Sequence, residues 1–166
     1  MIFLFILMVQ NTLFARNCGG LTTIIECSCG DKIVDSYVLT RDLNCTGDVG
    51  LTIAADDIEV SGLKPDGTAP TIQRTSPPTH KDIYGIHMNK TDRVVLSNMI
   101  ITGFTRGIHL DEGNDNTIKN MQLINNGFFD AVESKNVGYG MDLTRGSAKN
   151  KILDNEIRDN WDEGIH

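Results

Sequence analysis

The chain has 166 residues, 40% of them hydrophobic but only 6% aromatic, and a formal net charge of -7. That length fits one domain, whose core must be filled by small aliphatic side chains. The acidic balance, with no basic run to offset it, excludes nucleic acid and an anionic membrane surface as partners.

Residues 1–15 differ from the rest. The run Ile2-Phe3-Leu4-Phe5-Ile6-Leu7-Met8-Val9 is too short to span a bilayer, and Ala15 offers a small residue for cleavage, so the segment reads as a signal peptide. It carries no Lys or Arg before the apolar run, which leaves an uncleaved membrane anchor as the alternative. Either way the chain is expected to be secreted or at the cell surface, periplasmic in a Gram-negative source.

Residues 16–50 hold all four cysteines, Cys18, Cys27, Cys29 and Cys45. In an exported chain these predict disulfides within an N-terminal cap of lead-in strands. Three pairings are open, and Cys27 with Cys29 is the least favoured, because residues two apart on a strand project in parallel. A metal site is the alternative reading, although Cys27-x-Cys29 is tighter than usual zinc spacing and no His lies near it. Asn44-Cys45-Thr46 and Asn89-Lys90-Thr91 are glycosylation sequons that matter only in a eukaryotic source.

From residue 51 onward the sequence repeats. Tyr84-Gly85-Ile86-His87-Met88 returns as Arg106-Gly107-Ile108-His109-Leu110, as Tyr139-Gly140-Met141-Asp142-Leu143 and as Glu163-Gly164-Ile165-His166, with glycines 22, 33 and 24 residues apart. The long interval predicts an insertion of about ten residues in or around Phe128 to Val137. A second apolar column follows at Val95, Ile118 and Ile152, and a third at Ile100, Leu123 and Ile157. The runs are short, β-branched and broken by Asn, Asp and Gly, which excludes helical heptads. The period is too short for a propeller, and leucine is too sparse for a leucine-rich repeat.

The expected fold is therefore all-β: a right-handed parallel β-helix over residues 51–166, with three short strands per coil of about 22 to 24 residues. The repeat's glycines are read as permitting tight corners. Asn98, Asn125, Asn126, Asn155 and Asn160 are read as turn residues that tolerate left-handed backbone and form ladders along the stack. Gly164-Ile165-His166 stops inside a strand, which predicts a solenoid truncated at its C-terminus.

Gly-Ile-x-Leu followed by Asn150-Lys151-Ile152-Leu153-Asp154-Asn155-Glu156-Ile157 resembles the parallel β-helix repeat of the pectate-lyase-like superfamily, over about residues 50 to 166. The segment from Cys29-Gly30-Asp31 to Asn44-Cys45-Thr46 resembles the lead-in strands of exported proteins of this type. The resemblance speaks to fold and little to function, because the architecture carries lyases, epimerases, hydrolases, copper-maturation accessories and adhesin stalks.

If Ile and Leu of Gly-Ile-x-Leu face the core, x faces out. The x residues are His87, His109, Asp142 and His166, three of the chain's four histidines. Coils stacked about 4.8 Å apart would align them as one outward column able to share a transition-metal ion or a proton. The plainer alternative is a solvated position kept polar by duplication.

Tyr139-Gly140-Met141-Asp142-Leu143-Thr144-Arg145-Gly146-Ser147 is similar to the Tyr-Gly-aliphatic-Asp-Pro-His motif of mannuronan C5-epimerases. That resemblance implies Tyr139 as a proton-transfer phenol and Asp142 as the catalytic carboxylate. The motif's Pro-His falls on Leu143-Thr144, and His109 and His166 flank Asp142 as substitutes. Arg106 and Arg145 are the cations that would bind substrate and stabilise an enolate. Asp111, Glu112 and Asp115, and Asp162 and Glu163, are read first as solvated turns, with calcium bridging to a polyuronate through either cluster as the alternative. Phe104 and Trp161, each four residues after a column Ile, are read as corner packing or as platforms for sugar rings. The functional expectation is an outer strand face presented to polysaccharide or cell-surface material. Its rival is a polyuronate-modifying enzyme centred on Asp142, and a third reading is a metal-binding accessory that uses the histidine column.

Overall fold

A computed structural model describes residues 15–20 and 24–166. The expected signal peptide, apart from Ala15, lies outside the described residues. Those described contain strands and no helix, arranged as three parallel sheets and one hairpin.

The long sheet stacks seven strands in chain order: Asn17–Cys18, Lys32–Ile33, Val49–Ile53, Tyr84–Asn89, Arg106–Asp111, Tyr139–Thr144 and Glu163–Ile165. A second sheet stacks Tyr37–Leu39, Glu59–Gly62, Val95–Ser97, Thr117–Lys119 and Lys151–Leu153. A third stacks Leu43–Cys45, Thr71–Arg74, Ile100–Thr102, Gln122–Ile124 and Glu156–Arg158. The chain visits the three sheets in turn, so each coil contributes one strand to each, as the repeat predicts. Parallel stacking already begins at Asn17, which pairs with Lys32, and Lys32 pairs in turn with Thr52, so Lys32–Cys45 forms a complete coil.

Inward side chains form columns down the stack. One runs Leu51, Ile86, Ile108 and Met141, and its neighbour runs Ile33, Ile53, Met88, Leu110 and Leu143. The register of the other two sheets differs by one residue from the sequence reading in a single coil. Leu96, not Val95, aligns with Ile118 and Ile152, and Ile101, not Ile100, aligns with Leu123 and Ile157. The cause is the adjacent pair of apolar residues at each place: either could have faced inward, and pairing across coils selects Leu96 and Ile101, both fully buried.

The repeat's glycines are not corners. Gly85, Gly107 and Gly140 sit inside strands with ordinary backbone, and Gly50 precedes them in the same column. A Cβ built on Gly85 would stand 2.5 Å from the Gly107 carbonyl oxygen, and one on Gly107 would stand 2.5 Å from that of Gly140. Glycine is required there because successive coils approach too closely for any side chain.

Left-handed corners occur elsewhere, again as columns. Asp57, Arg93, Asp115 and Lys149 form one, Lys90, Glu112 and Arg145 a second, and Asn98, Asn120 and Asp154 a third. Asn98 and Asn125 have positive φ as expected, but Asn126, Asn155 and Asn160 do not. Their work is hydrogen bonding between coils. Asn126 Oδ1 accepts from Phe104 N and its Nδ2 donates to the Ile101 carbonyl, while Asn160 repeats both contacts one coil later with Asn126 N and Leu123. Asn116 and Asn150 build the same ladder at another corner, and Asn155 does so at a third. Each of these amides, of which Asn116 and Asn126 are fully buried, thus satisfies a backbone donor and acceptor that the turn leaves open.

Phe104 shares its column with Asn126 and Asn160 rather than with Trp161, and it is fully buried in the core. Trp161 sits half-exposed over Gly127. The two aromatics therefore form no common sugar platform. The insertion between the second and third glycines is an antiparallel hairpin of Phe128–Asp130 with Lys135–Val137.

Disulfides join Cys18 to Cys27 and Cys29 to Cys45. Beside them the nearly buried Asp31 binds Arg16 Nε at 2.9 Å and accepts from Ser28 N at 2.8 Å, closing the N-terminal end of the stack. Two bridges in so small a segment point to an oxidising environment.

Candidate functional site

The outer face of the long sheet carries three adjacent polar columns. Parallel pairing places Thr52, His87, His109 and Asp142 in one, with His166 following Asp142 in the next coil. Three residues earlier on each strand stand Val49, Tyr84, Arg106, Tyr139 and Glu163. Two residues later stand Asn89, Asp111 and Thr144. Period-two alternation sends the first and third columns away from the aliphatic core. The second lies an odd three residues away, and it is the stacking of Tyr84 on His87 and of Tyr139 on His166, with Arg106 against Asp142, that puts it on the same outer face.

Facing away from the core does not leave them in water. Asp142 is 1% exposed and His109 8%, because long side chains from the coils above and below roof them. This corrects the expectation of an open column. Arg106 Nε stands 2.8 Å from Asp142 Oδ2 with its N–H not aimed at the oxygen, so charge rather than a hydrogen bond holds the pair. The same carboxylate meets His166 Nδ1 at 3.2 Å through Oδ1 and His109 Nε2 at 3.8 Å through Oδ2. Arg106 also donates to the Tyr84 hydroxyl at 3.3 Å, its guanidinium lies over the Tyr84 ring, and Tyr84 donates in turn to Asp82 at 3.1 Å.

Ring stacking orders the rest. Tyr84 stacks on His87 at 4.7 Å and on His109 at 4.8 Å, His87 and His109 lie 5.3 Å apart and nearly parallel, and Tyr139 stacks on His166 at 4.6 Å. Stacked imidazoles turn their faces, not their nitrogens, toward each other. The expected ligand set His87, His109, Asp142 and His166 therefore does not converge. Among the described residues, no group of three or more His, Cys, Asp or Glu side chains is placed to hold a metal ion. Of the candidate calcium groups, Asp111 instead binds Thr144 and Arg145, and Glu112 pairs with Lys90.

The two expected cations separate. Arg106 is at the centre of the face, whereas the exposed Arg145 reaches Asp111 at 3.5 Å. Burial pushes His87 and His109 below the ordinary histidine value, against the pull of Asp111 on the first and of Asp142 on the second. Burial likewise raises the phenols of Tyr84 and Tyr139. The face thus presents neutral imidazoles, protonated phenols and one guanidinium around a nearly buried carboxylate. Those groups can accept a proton, donate one and neutralise an anion.

Sequence reasoning missed Tyr84, Thr144 and Asp82 as members of the face. Tyr84 and Thr144 had a signal, since they occupy repeat positions three before and two after x. Asp82 lies in the loop before the strand, with no periodic mark. The hollow beside Lys32, Thr52, Asn89 and Thr91 continues the same face toward the N-terminal coils.

Fold and face together define a parallel solenoid whose distinctive chemistry is concentrated on one sheet. Residues 43–166 match the family model described as right handed beta helix region, and the chain belongs to that family. Searches of the curated proteins and of the solved structures found no match.

Proposed function

We propose that this is an exported β-helix domain whose working surface is the outer face of the long sheet, and that the surface engages polysaccharide. The observation that carries the reading is Asp142. A solvated polar column would leave its carboxylate in water, whereas here it is enclosed by Arg106, His109 and His166 and flanked by stacked aromatic rings. Tyr84 and Tyr139 add apolar faces with polar tips, suited to sugar rings. The two disulfides support export. Calorimetric titration with polymannuronate, polygalacturonate and a neutral glucan tests it: heats are expected with a uronate polymer and lost in Arg106→Ala, and silence with all three polymers would end the proposal.

A second reading, proton transfer on the uronate itself, is favoured by the pairing of lowered imidazoles with raised phenols on one face. The chemistry needs a base for the proton next to the uronate carboxylate and a cation for the resulting enolate. Proton NMR of polymannuronate after incubation is expected to reveal guluronate or unsaturated ends. A spectrum without either would remove this reading and leave binding intact.

A further inference from the structure

Asp142 lies between two imidazoles, and its contacts select opposite tautomers in them. His166 Nδ1 is 3.2 Å from Asp142 Oδ1. A carboxylate has only lone pairs to offer, so the hydrogen in that contact belongs to Nδ1 and the lone pair of the neutral ring lies at Nε2. The side chain of His166 is 52% exposed, and stacking on Tyr139 at an interplanar angle of 13° fixes the plane of its ring.

His109 is held the other way round. Thr144 has one hydroxyl hydrogen and gives it to Asp111 Oδ1 at 3.1 Å, so toward His109 Nε2, 3.3 Å away, the hydroxyl can only accept. Asp142 Oδ2, 3.8 Å from the same nitrogen, favours a hydrogen there too. The lone pair of His109 therefore falls on Nδ1, which is buried and has no partner. Protonating it would create a buried N–H with nothing to receive it.

We propose that His166 Nε2 is the proton acceptor of this face, and that Asp142 is a positioning residue acting through it. His109 is a fixed donor toward the Thr144 hydroxyl, 3.3 Å away, with the Asp142 carboxylate beyond hydrogen-bond reach at 3.8 Å. The inference rests on the uronate proton-transfer reading, and it reassigns the role that the motif resemblance gives Asp142. In the step, the C–H bond beside the uronate carboxylate breaks and its proton forms the new N–H bond at Nε2. The electron pair stays on the sugar as an enolate spread over that carboxylate. Protonation of the enolate from solvent on the opposite face completes the inversion.

Long-range proton–nitrogen NMR of the ring-labelled chain at about pH 8, above the ordinary histidine value, tests the assignment without any sugar. His→Gln variants taken one at a time identify the rings. His166 is expected in the Nδ1–H form and His109 in the Nε2–H form, with Thr144→Val disturbing the His109 pattern and Thr144→Ser restoring it. An Nε2–H pattern at His166 overturns the proposal. Deuterium incorporation into polymannuronate in heavy water then reads the step itself. It should fall about a hundredfold or more in His166→Gln and be unaffected in His80→Gln, which lies outside the face. Persistence in His166→Gln overturns the proposal. Expected tautomers with no incorporation by the unaltered chain would overturn the proton-transfer reading and the acceptor role together, leaving the ring geometry intact.

Discussion

Two polar networks between the coils of this molecule, one of asparagine amides and one of charged and aromatic side chains around Asp142, differ in how they close. The asparagine ladder at the corners satisfies itself: each Asn126 or Asn160 amide gives to a backbone carbonyl and takes from a backbone N–H of the preceding coil. The Asp142 face does not. Arg106 Nε and His109 Nδ1 are buried without a hydrogen-bond partner, and the third such atom among the described residues, Thr91 Oγ1, belongs to the residue whose carbonyl accepts from Asn116 and which lines the hollow continuing the face. Polar groups buried for the fold are closed by the backbone, while those on the face retain unused hydrogen-bonding capacity. Open capacity costs stability and is what a ligand can use.

The comparison breaks first on the ladder. Asn126→Asp keeps the acceptor for Phe104 N but sets a buried carboxylate against the Ile101 carbonyl. It is expected to cost about 4 kcal/mol, read as a lower urea midpoint at unchanged slope. Uronate titration of the folded fraction should be unaltered, and a stable Asn126→Asp would make the ladder decorative. Next in size is the cap. Replacing Cys29 and Cys45 by Ser frees a loop of sequence separation 16, with an expected loss of about 3 kcal/mol, again without change at the face.

The periodic parts of the molecule were legible in the sequence because a stack repeats its constraints. Gly-Ile-x-Leu marked the long sheet, and the excess residues between Gly107 and Gly140 marked the hairpin. What the sequence hid was set by neighbouring coils. Lys90, Arg93, Glu112 and Lys149 adopt positive φ although none is a residue that prefers it, because each corner must follow the one below. The glycine column was visible but its reason was not, since close approach of Gly107 to Gly140 exists only after stacking. At the site, alternation placed His109 and Asp142 on the outer side and read that side as solvent. Roofing by Arg106 and Tyr84 from adjacent coils lies beyond any single-strand pattern.

A smaller effect sharpens the comparison at the face. Asp142→Ala leaves the Arg106 charge enclosed and is expected to cost about 2 kcal/mol. If the pair serves function rather than folding, Arg106→Met with Asp142→Leu should return to within about 1 kcal/mol of the starting stability, while the heat of uronate binding stays absent. Failure of the double variant to recover would place Asp142 with the ladder, as a structural group.

The smallest expected effect is in pH. His87 and His109 titrate below the ordinary histidine value in the folded chain because burial disfavours the cation. On acidification the unfolded chain therefore takes up protons first, starting near the ordinary value of about 6.5, while the folded rings still resist. The unfolded state binding more protons means that stability rises with pH, so it is complete above that value and is lost as pH falls through it toward the lowered folded values. Urea midpoints measured on either side of the window should show this slope, and His109→Gln should flatten it, because Gln fills similar space without titrating. A ladder variant such as Asn126→Leu should lower the midpoint at every pH and leave the slope alone. If the slope survives in the double variant His87→Gln with His109→Gln, the buried imidazoles are not its source, and the open hydrogen-bonding capacity of the face carries no linked proton.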